Sequence, residues 1–290
     1  MPGNRDVTAS NEELRAGIDV FGATHPGKAR IENDDQFFIA TLHKSMRVQQ
    51  TSLDDLSAFT RLQGASAYLL VVADGASGML GARQASTTAV ETIAQHIGEM
   101  IGCYYNFDVD MEQEFLNQLQ NAVERAHQQV RKLDPYAEHG PATTLTMVAL
   151  MWPRAYVVHV GDSRAYYLRG GRLRQLTQDQ TAYEQLLDDG TMSEQQAEEC
   201  SGLTHRLKNV LTSAIGGQIK PSIGLVDLQA EDVLLLCTDG LTQHVPDSDV
   251  ARILGASASA EESCRRLVDL ALERGALDNV AVIVGRCAAP

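Results

Sequence analysis

Aspartates in this sequence repeatedly stand where apolar strands begin or end. Asp74 follows the run Ala67-Tyr68-Leu69-Leu70-Val71-Val72-Ala73 and precedes Gly75. Asp239 closes a second apolar run and precedes Gly240, and Asp278 comes immediately before a third run, 279–285. Asp162 sits in a tight Gly161-Asp162-Ser163-Arg164 corner, and Asp34-Asp35 lie just before Phe37. Strand ends on one side of a sheet are rigid and close in space, so carboxylates placed there can converge. Convergence alone is costly, because like charges raise one another's pKa values. A divalent cation relieves that cost. Hard oxygen ligands without a nearby His or Cys suit Mg²⁺ or Mn²⁺ better than zinc. The glycine after each aspartate lets the backbone approach closely and offers its carbonyl as a further ligand. One isolated Asp-Gly is more often a turn; the repetition at strand ends is what points to an acidic metal site.

These aspartates need a scaffold of strands. The run 67–73 is apolar without alternation, as in a strand buried on both faces. Further strands are expected at 18–21, 37–40, 143–152, 155–160, 163–169, 173–175, 223–228, 232–238 and 279–285. Arg169-Gly170-Gly171-Arg172 is a hairpin turn signal. Two long helices are expected at 82–103 and 110–132. The second carries Phe115, Leu116, Leu119, Ala122, Val123 and Ala126 on one stripe. Shorter helices are expected at 247–254 and 260–274. Strands, two helices, many strands, helices and a last strand make an α+β layered domain, not an alternating doubly wound one. Residues 1–16 read as a flexible leader and 17–290 as a single domain. Within it, 41–66 form an insertion with some helix near 53–62, and 179–215 form a polar segment with helix starting at Ser193.

The bulk properties narrow the function. The 290 residues are 44% hydrophobic, enough for a sizeable core. Lys and Arg total 24 against 38 Asp and Glu, a formal net charge of −14. That sign argues against nucleic acid and against anionic lipid as partners. The five cysteines are odd in number and form no C-x-x-C pair, as in a reduced cytoplasmic protein. The polar N-terminal stretch does not read as a secretory signal, and no run approaches the ~18 apolar residues of a membrane helix.

Taken in order, these pieces resemble the type 2C family of metal-dependent protein Ser/Thr phosphatases in its bacterial form. The resemblance runs from about Gly17 to Arg286. Arg30-Ile31-Glu32-Asn33-Asp34-Asp35 is similar to the family's R-x-x-N-E-D element, and Ala73-Asp74-Gly75 to its A-D-G strand end. Pro141-Ala142-Thr143-Thr144 resembles the G-T-T strand start, and Gly161-Asp162-Ser163-Arg164 matches the G-D-S-R corner. Thr238-Asp239-Gly240-Leu241 matches [ST]-D-G-L, and Asp278-Asn279-Val280 matches D-N-[VI].

The resemblance implies a central antiparallel β-sandwich flanked by helix pairs, in four layers α-β-β-α. It implies hydrolysis of phosphoserine and phosphothreonine by hydroxide held between two Mn²⁺ or Mg²⁺ ions ~3.5–4 Å apart. Asp74 would bridge them, with the Gly75 carbonyl on one, and Asp239 and Asp278 would complete the other. Asp162 would share a weaker third site with Asp239. Asp34, where the family has Glu, would act through a bound water, and Arg30 would clamp the phosphate. The implied partners are phosphoprotein substrates and an opposing Ser/Thr kinase. A catalytically weak binding or sensing module of the same fold is the alternative. Ala76-Ser77-Gly78-Met79 departs from the family's M-G-G-H and leaves no histidine beside Asp74. Residues 179–215 correspond to the flap over the site, and 209–216 to the strand after it.

Overall fold

The computed structural model describes residues 18–43, 66–76, 81–100, 109–137 and 140–288. Its strands are β1 (Ile18–His25), β2 (Gln36–His43), β3 (Ser66–Ala73), β4 (Leu145–Met151), β5 (Arg154–Val160), β6 (Arg164–Arg169), β7 (Arg172–Gln175), β8 (Ser222–Asp227), β9 (Val233–Cys237) and β10 (Val280–Cys287). They build two five-stranded antiparallel sheets, ordered β1-β10-β9-β6-β7 and β2-β3-β4-β5-β8. β1 and β10 pair along their whole length, from Ile18 opposite Cys287 to His25 opposite Val280.

The helices are α1 (Ala82–Met100), α2 (Val109–Arg131), α3 (Ala182–Asp188), α4 (Glu194–Glu199), α5 (Ser201–Lys208), α6 (Asp239–Thr242), α7 (Asp247–Ala256) and α8 (Ala260–Glu273). α1 and α2 cover the outer face of the β3-containing sheet, and α7 and α8 that of the β9-containing sheet. The result is the four-layer sandwich expected.

The continuous apolar runs follow from this layering. On β3, Leu69 and Val71 face the helices while Leu70 and Val72 face the opposite sheet. On β9, Leu235 and Cys237 face the helices while Leu234 and Leu236 face inward. Both faces are dry, so alternation disappears. On α2 the stripe Phe115, Leu119, Ala122, Val123, Ala126 and Val130 is fully buried, with Phe115 edge-on to Tyr156 at 5.0 Å. The Gly170-Gly171 turn carries two positive φ values, 54° and 76°, as a tight I′ hairpin requires.

Two expectations change. Residues 41–43 continue β2 and Ser66 opens β3, so the connection between these strands is confined to 44–65; the helix expected near 53–62 lies outside the described residues. Residues 209–216 form no regular strand. Their ladder contacts are isolated bridges, Thr181 to Leu211 and Thr143 to Ile215, because two different segments supply the partners.

Candidate metal centre

Both sheets bring acid to the same edge. Asp74 ends β3 in one sheet, Asp239 follows β9 in the other, and Asp278 precedes β10. Asp162 lies in the β5–β6 corner, where Gly161 has a φ of 107° and sits against Thr144. Asp74, Asp162, Asp239 and Asp278 line one cavity of about 1280 Å³ together with Arg30. Asp34 and Asp35 arrive from the loop before β2.

The backbone here is tightly held. The carbonyl of Asp74 accepts from the Thr144 amide at 2.9 Å and the Thr143 hydroxyl at 2.7 Å, while its amide donates to Thr144 Oγ1 at 2.9 Å. Gly75 is required by space: a Cβ would lie 2.6 Å from the Ala82 carbonyl oxygen. Gly240 is more constrained still, since a Cβ there would meet the Asn279 carbonyl oxygen at 1.9 Å. Asn279 stitches the acidic loop in place. Its side-chain amide donates to the carbonyls of Pro26 and Glu32, both at 2.9 Å, and its Oδ1 accepts from the Asp34 amide at 2.8 Å.

The electrostatics are those of a site built for cations. Burial, and then the neighbouring carboxylates Asp35 and Asp239, hold the Asp74 carboxyl well above the usual range. Burial, then Asp239 and Asp179, does the same to Asp162. Asp239 is raised by burial and by Asp278. Burial pushes Asp35 up to about 8, against a stabilising hydrogen bond from the Thr238 hydroxyl at 2.7 Å. Asp35 Oδ1 and Asp239 Oδ1 are buried without any hydrogen-bond donor. Buried carboxylate oxygens normally find partners, and a cation would satisfy both. The donor set is all oxygen, which fits Mg²⁺ or Mn²⁺. Among the described residues no three acidic, His or Cys side chains already stand in a ligating group.

Asp278 already has a cationic partner. Arg30 grips it as a fork, Nε donating to Oδ1 and Nη2 to Oδ2, each at 3.0 Å. The residues expected to clamp phosphate and to hold metal are thus paired with each other.

The remaining expected residues fall as follows. Asp34 is half-buried, its carboxyl raised by burial and then by Glu32. Arg164 is held by Asp179 through Nε and Nη2, at 2.8 and 2.7 Å, and by the Tyr166 hydroxyl, away from the cavity wall. His25 accepts from the Gly27 amide through Nδ1 at 2.9 Å. Segment 209–218 forms one wall of the cavity.

Three residues of the site carried no role in the sequence reading. Asp35 is only 2% exposed and stands deeper in the cluster than Asp34. Thr238 and Asn279 orient it and its loop. All three lie inside the sequence motifs, which place them beside the other aspartates without giving them a role.

Residues 44–273 match the family model described as Protein phosphatase 2C. The serine/threonine protein phosphatase PstP of Mycobacterium tuberculosis is 33% identical over 224 residues, which cover 76% of this chain and 40% of PstP. The match thus spans about two fifths of that relative's length. Protein phosphatase PhpP of Streptococcus pneumoniae is 30% identical over 217 residues, covering 74% of this chain and 83% of PhpP. The crystal structure of M. tuberculosis PstP superposes with a TM-score of 0.70 at 26% identity, covering 94% of this chain and 99% of that one. The PstP catalytic domain in complex with two manganese ions superposes with a TM-score of 0.69 at 26% identity, over the same shares.

Proposed function

The chain belongs to the protein phosphatase 2C family, and from that premise we propose that it is a metal-dependent protein phosphatase hydrolysing phosphoserine and phosphothreonine. The observation that carries this reading is the convergence of Asp35, Asp74, Asp162, Asp239 and Asp278 from both sheets, with two buried carboxylate oxygens lacking donors.

Asp74, Asp239 and Asp278, with the Gly75 carbonyl, would hold two Mn²⁺ or Mg²⁺ ions. Asp162 would contribute with Asp239 to a weaker third. Asp35 joins this set from beside Asp74, and Asp34 would act through water. When bound, such ions lower the pKa of water toward neutrality and offset phosphate charge.

The chain's own residues do the rest. Without cations, those carboxylates that stay ionised repel a phosphate dianion, so the metal-free site disfavours substrate. Thr143, Thr144, Thr238 and Asn279 fix the backbone that carries the aspartates, so little reorganisation is left for the transition state. Arg30 offers a planar fork that matches two phosphate oxygens. It reaches them once released from Asp278. Phosphate monoesters are among the slowest bonds to hydrolyse in water, so preorganised charge must supply most of the acceleration.

The substrates are phosphoproteins, and the functional antagonist is a Ser/Thr protein kinase. The activities named for PstP and PhpP support this. A reducing, cytoplasmic setting is supported by Cys200, Cys237, Cys264 and Cys287, all free. No described helix is long and apolar enough to cross a membrane. The test is turnover of p-nitrophenyl phosphate and of a phosphothreonine peptide with Mn²⁺ added, beside Asp239→Asn. Turnover at least a hundredfold above that variant is expected; equal rates would overturn the reading.

A further inference from the structure

The cavity that holds the carboxylates at one end is basic at the other. Its wall runs from Asp74 and Asp239 past Thr144 and Pro141 to Arg131 and Lys132. Arg131 is the last residue of α2 and Lys132 the first beyond it. Both are exposed.

Among the described residues, eight arginines are each neutralised by an acidic side chain in an ion pair. Neither Arg131 nor Lys132 has such a partner among the described residues. Asp134 lines the same wall, its Oδ1 accepting from the Tyr136 amide at 3.3 Å, so the two cations exceed the local acid by one charge.

The backbone that carries the two cations is also tied to the carboxylates. Gly216 donates its amide to His127 Nδ1 on α2 at 3.1 Å. A Cβ at Gly216, whose φ is 96°, would meet the Pro141 carbonyl oxygen at 2.3 Å. Thr143 and Ile215 exchange two backbone hydrogen bonds, at 3.0 and 2.8 Å. The end of α2, the 140–143 segment and the 213–218 segment therefore form one wall, and Thr143 ties it to Asp74. A cavity of about 1280 Å³ is larger than a phosphorylated side chain needs; small-ligand pockets occupy about 300–1,000 Å³.

We propose that Arg131 and Lys132 form a subsite for acidic side chains flanking the phosphorylated residue, so that the enzyme selects phosphopeptides carrying Glu or Asp on one side. This rests on the phosphatase reading above. A dianionic phosphate at the metal end and a carboxylate at the basic end would then be bound by separate positive charges. The rest of a chain with a formal net charge of −14 would repel both.

The test uses three phosphothreonine peptides of equal length. One has two glutamates before the phosphothreonine, one has two after it, and one has glutamine at all these positions. Each is assayed with Mn²⁺ at low salt. One acidic peptide is expected to exceed the glutamine peptide in kcat/KM by about three- to tenfold, the range for one or two exposed ion pairs. The preference should shrink toward unity in the double variant Arg131→Gln/Lys132→Gln, and also in the unaltered chain at 0.5 M salt, where screening is strong. Equal kcat/KM for all three peptides, with p-nitrophenyl phosphate still hydrolysed, overturns the subsite alone. A preference that survives the double variant also overturns it. Absence of Mn²⁺-dependent p-nitrophenyl phosphate turnover overturns the phosphatase reading and the subsite with it.

Discussion

At the scale of single residues, the centre is defined by competition for carboxylates. Arg30 holds Asp278 in a two-point pair whose side chains are 40% and 22% exposed, so the pair is partly screened. An ion arriving at Asp278 must displace the guanidinium. Such pairs are worth about 0.2–1 kcal/mol. Arg30→Ala is therefore expected to tighten Mn²⁺ binding by about 1.4- to fivefold in a calorimetric titration, since 1.4 kcal/mol is tenfold. The same change should lower kcat/KM on a phosphopeptide by about a hundredfold, because a charge-stabilising donor is lost. Asp239→Asn acts in the opposite sense on the metal. It removes one of several like charges that burial leaves uncompensated. In chelator, the variant should melt above the unaltered chain by about 1–2 kcal/mol of stability, relief of the order expected for an unpaired buried charge. It should also lose the rise in melting temperature that Mn²⁺ gives the unaltered chain. A variant that melts lower in chelator would contradict the view that these carboxylates strain the metal-free fold. Asp35 marks the limit of what residue types alone convey. Two adjacent aspartates precede β2, and which one turns inward depends on how Asn279 and Thr238 seat the loop, more than 200 residues away.

At the scale of elements, strand ends position the chemistry and their pairing is sensitive to small changes. The short helix α6 starts at Asp239 and is pressed against Asn279 by Gly240. Gly240→Ala is expected to cost about 2–3 kcal/mol by overpacking, and to weaken Mn²⁺ binding as Asp239 and Asp278 part; denaturant titration and calorimetry check the two effects. The β4–β5 pair contains a second sensitive point. His159 faces Thr146 in register, with Nδ1 2.8 Å from the threonine hydroxyl and Nε2 3.0 Å from the Gln178 carbonyl. The carbonyl only accepts, so Nε2 carries the proton in the neutral ring. Burial pushes this imidazole down to about 4. Below about pH 6.5 the unfolded chain takes up a proton that the folded chain refuses until about pH 4. The stability contributed by the neutral ring is full above pH 6.5 and is lost as pH falls toward 4, amounting to about 3 kcal/mol. His159→Gln should remove that part of the acid sensitivity, read as a flatter denaturation midpoint between pH 6.5 and 4. Strand identity was legible in the sequence because both faces of β3 and β9 are dry, which produces unbroken apolar runs. The wall segment 209–216 was read as a strand and is not one. It bonds to Thr181 at one point and to Thr143 at another, and such split partnership leaves no periodic pattern to read.

At the scale of the whole molecule, the candidate ligand aspartates belong to two different sheets. Asp74 comes from the β3 sheet, and Asp239 and Asp278 flank strands of the β9–β10 sheet. Mn²⁺ at a hundred times its dissociation constant should stabilise the fold by about 2.7 kcal/mol. Hydrogen exchange should slow at the ends of β3, β9 and β10 together; slowing confined to one sheet would mean that the ions do not join the two. The acidic surface and the layered α+β class were legible in composition and element order. The basic end of the cavity was not, because Arg131 and Lys132 reach the site only through the packing of α2 against the 213–218 wall. The pairing of β1 with β10 has a further consequence. Both strands have the ends nearest the acidic cluster at His25 and Val280, and their other ends meet at Ile18 and Cys287. Seven steps of antiparallel strand separate these ends, about 24 Å. A linker, tag or immobilising surface joined through either of those far ends would therefore grip the molecule by its back and leave the mouth of the cavity facing outward.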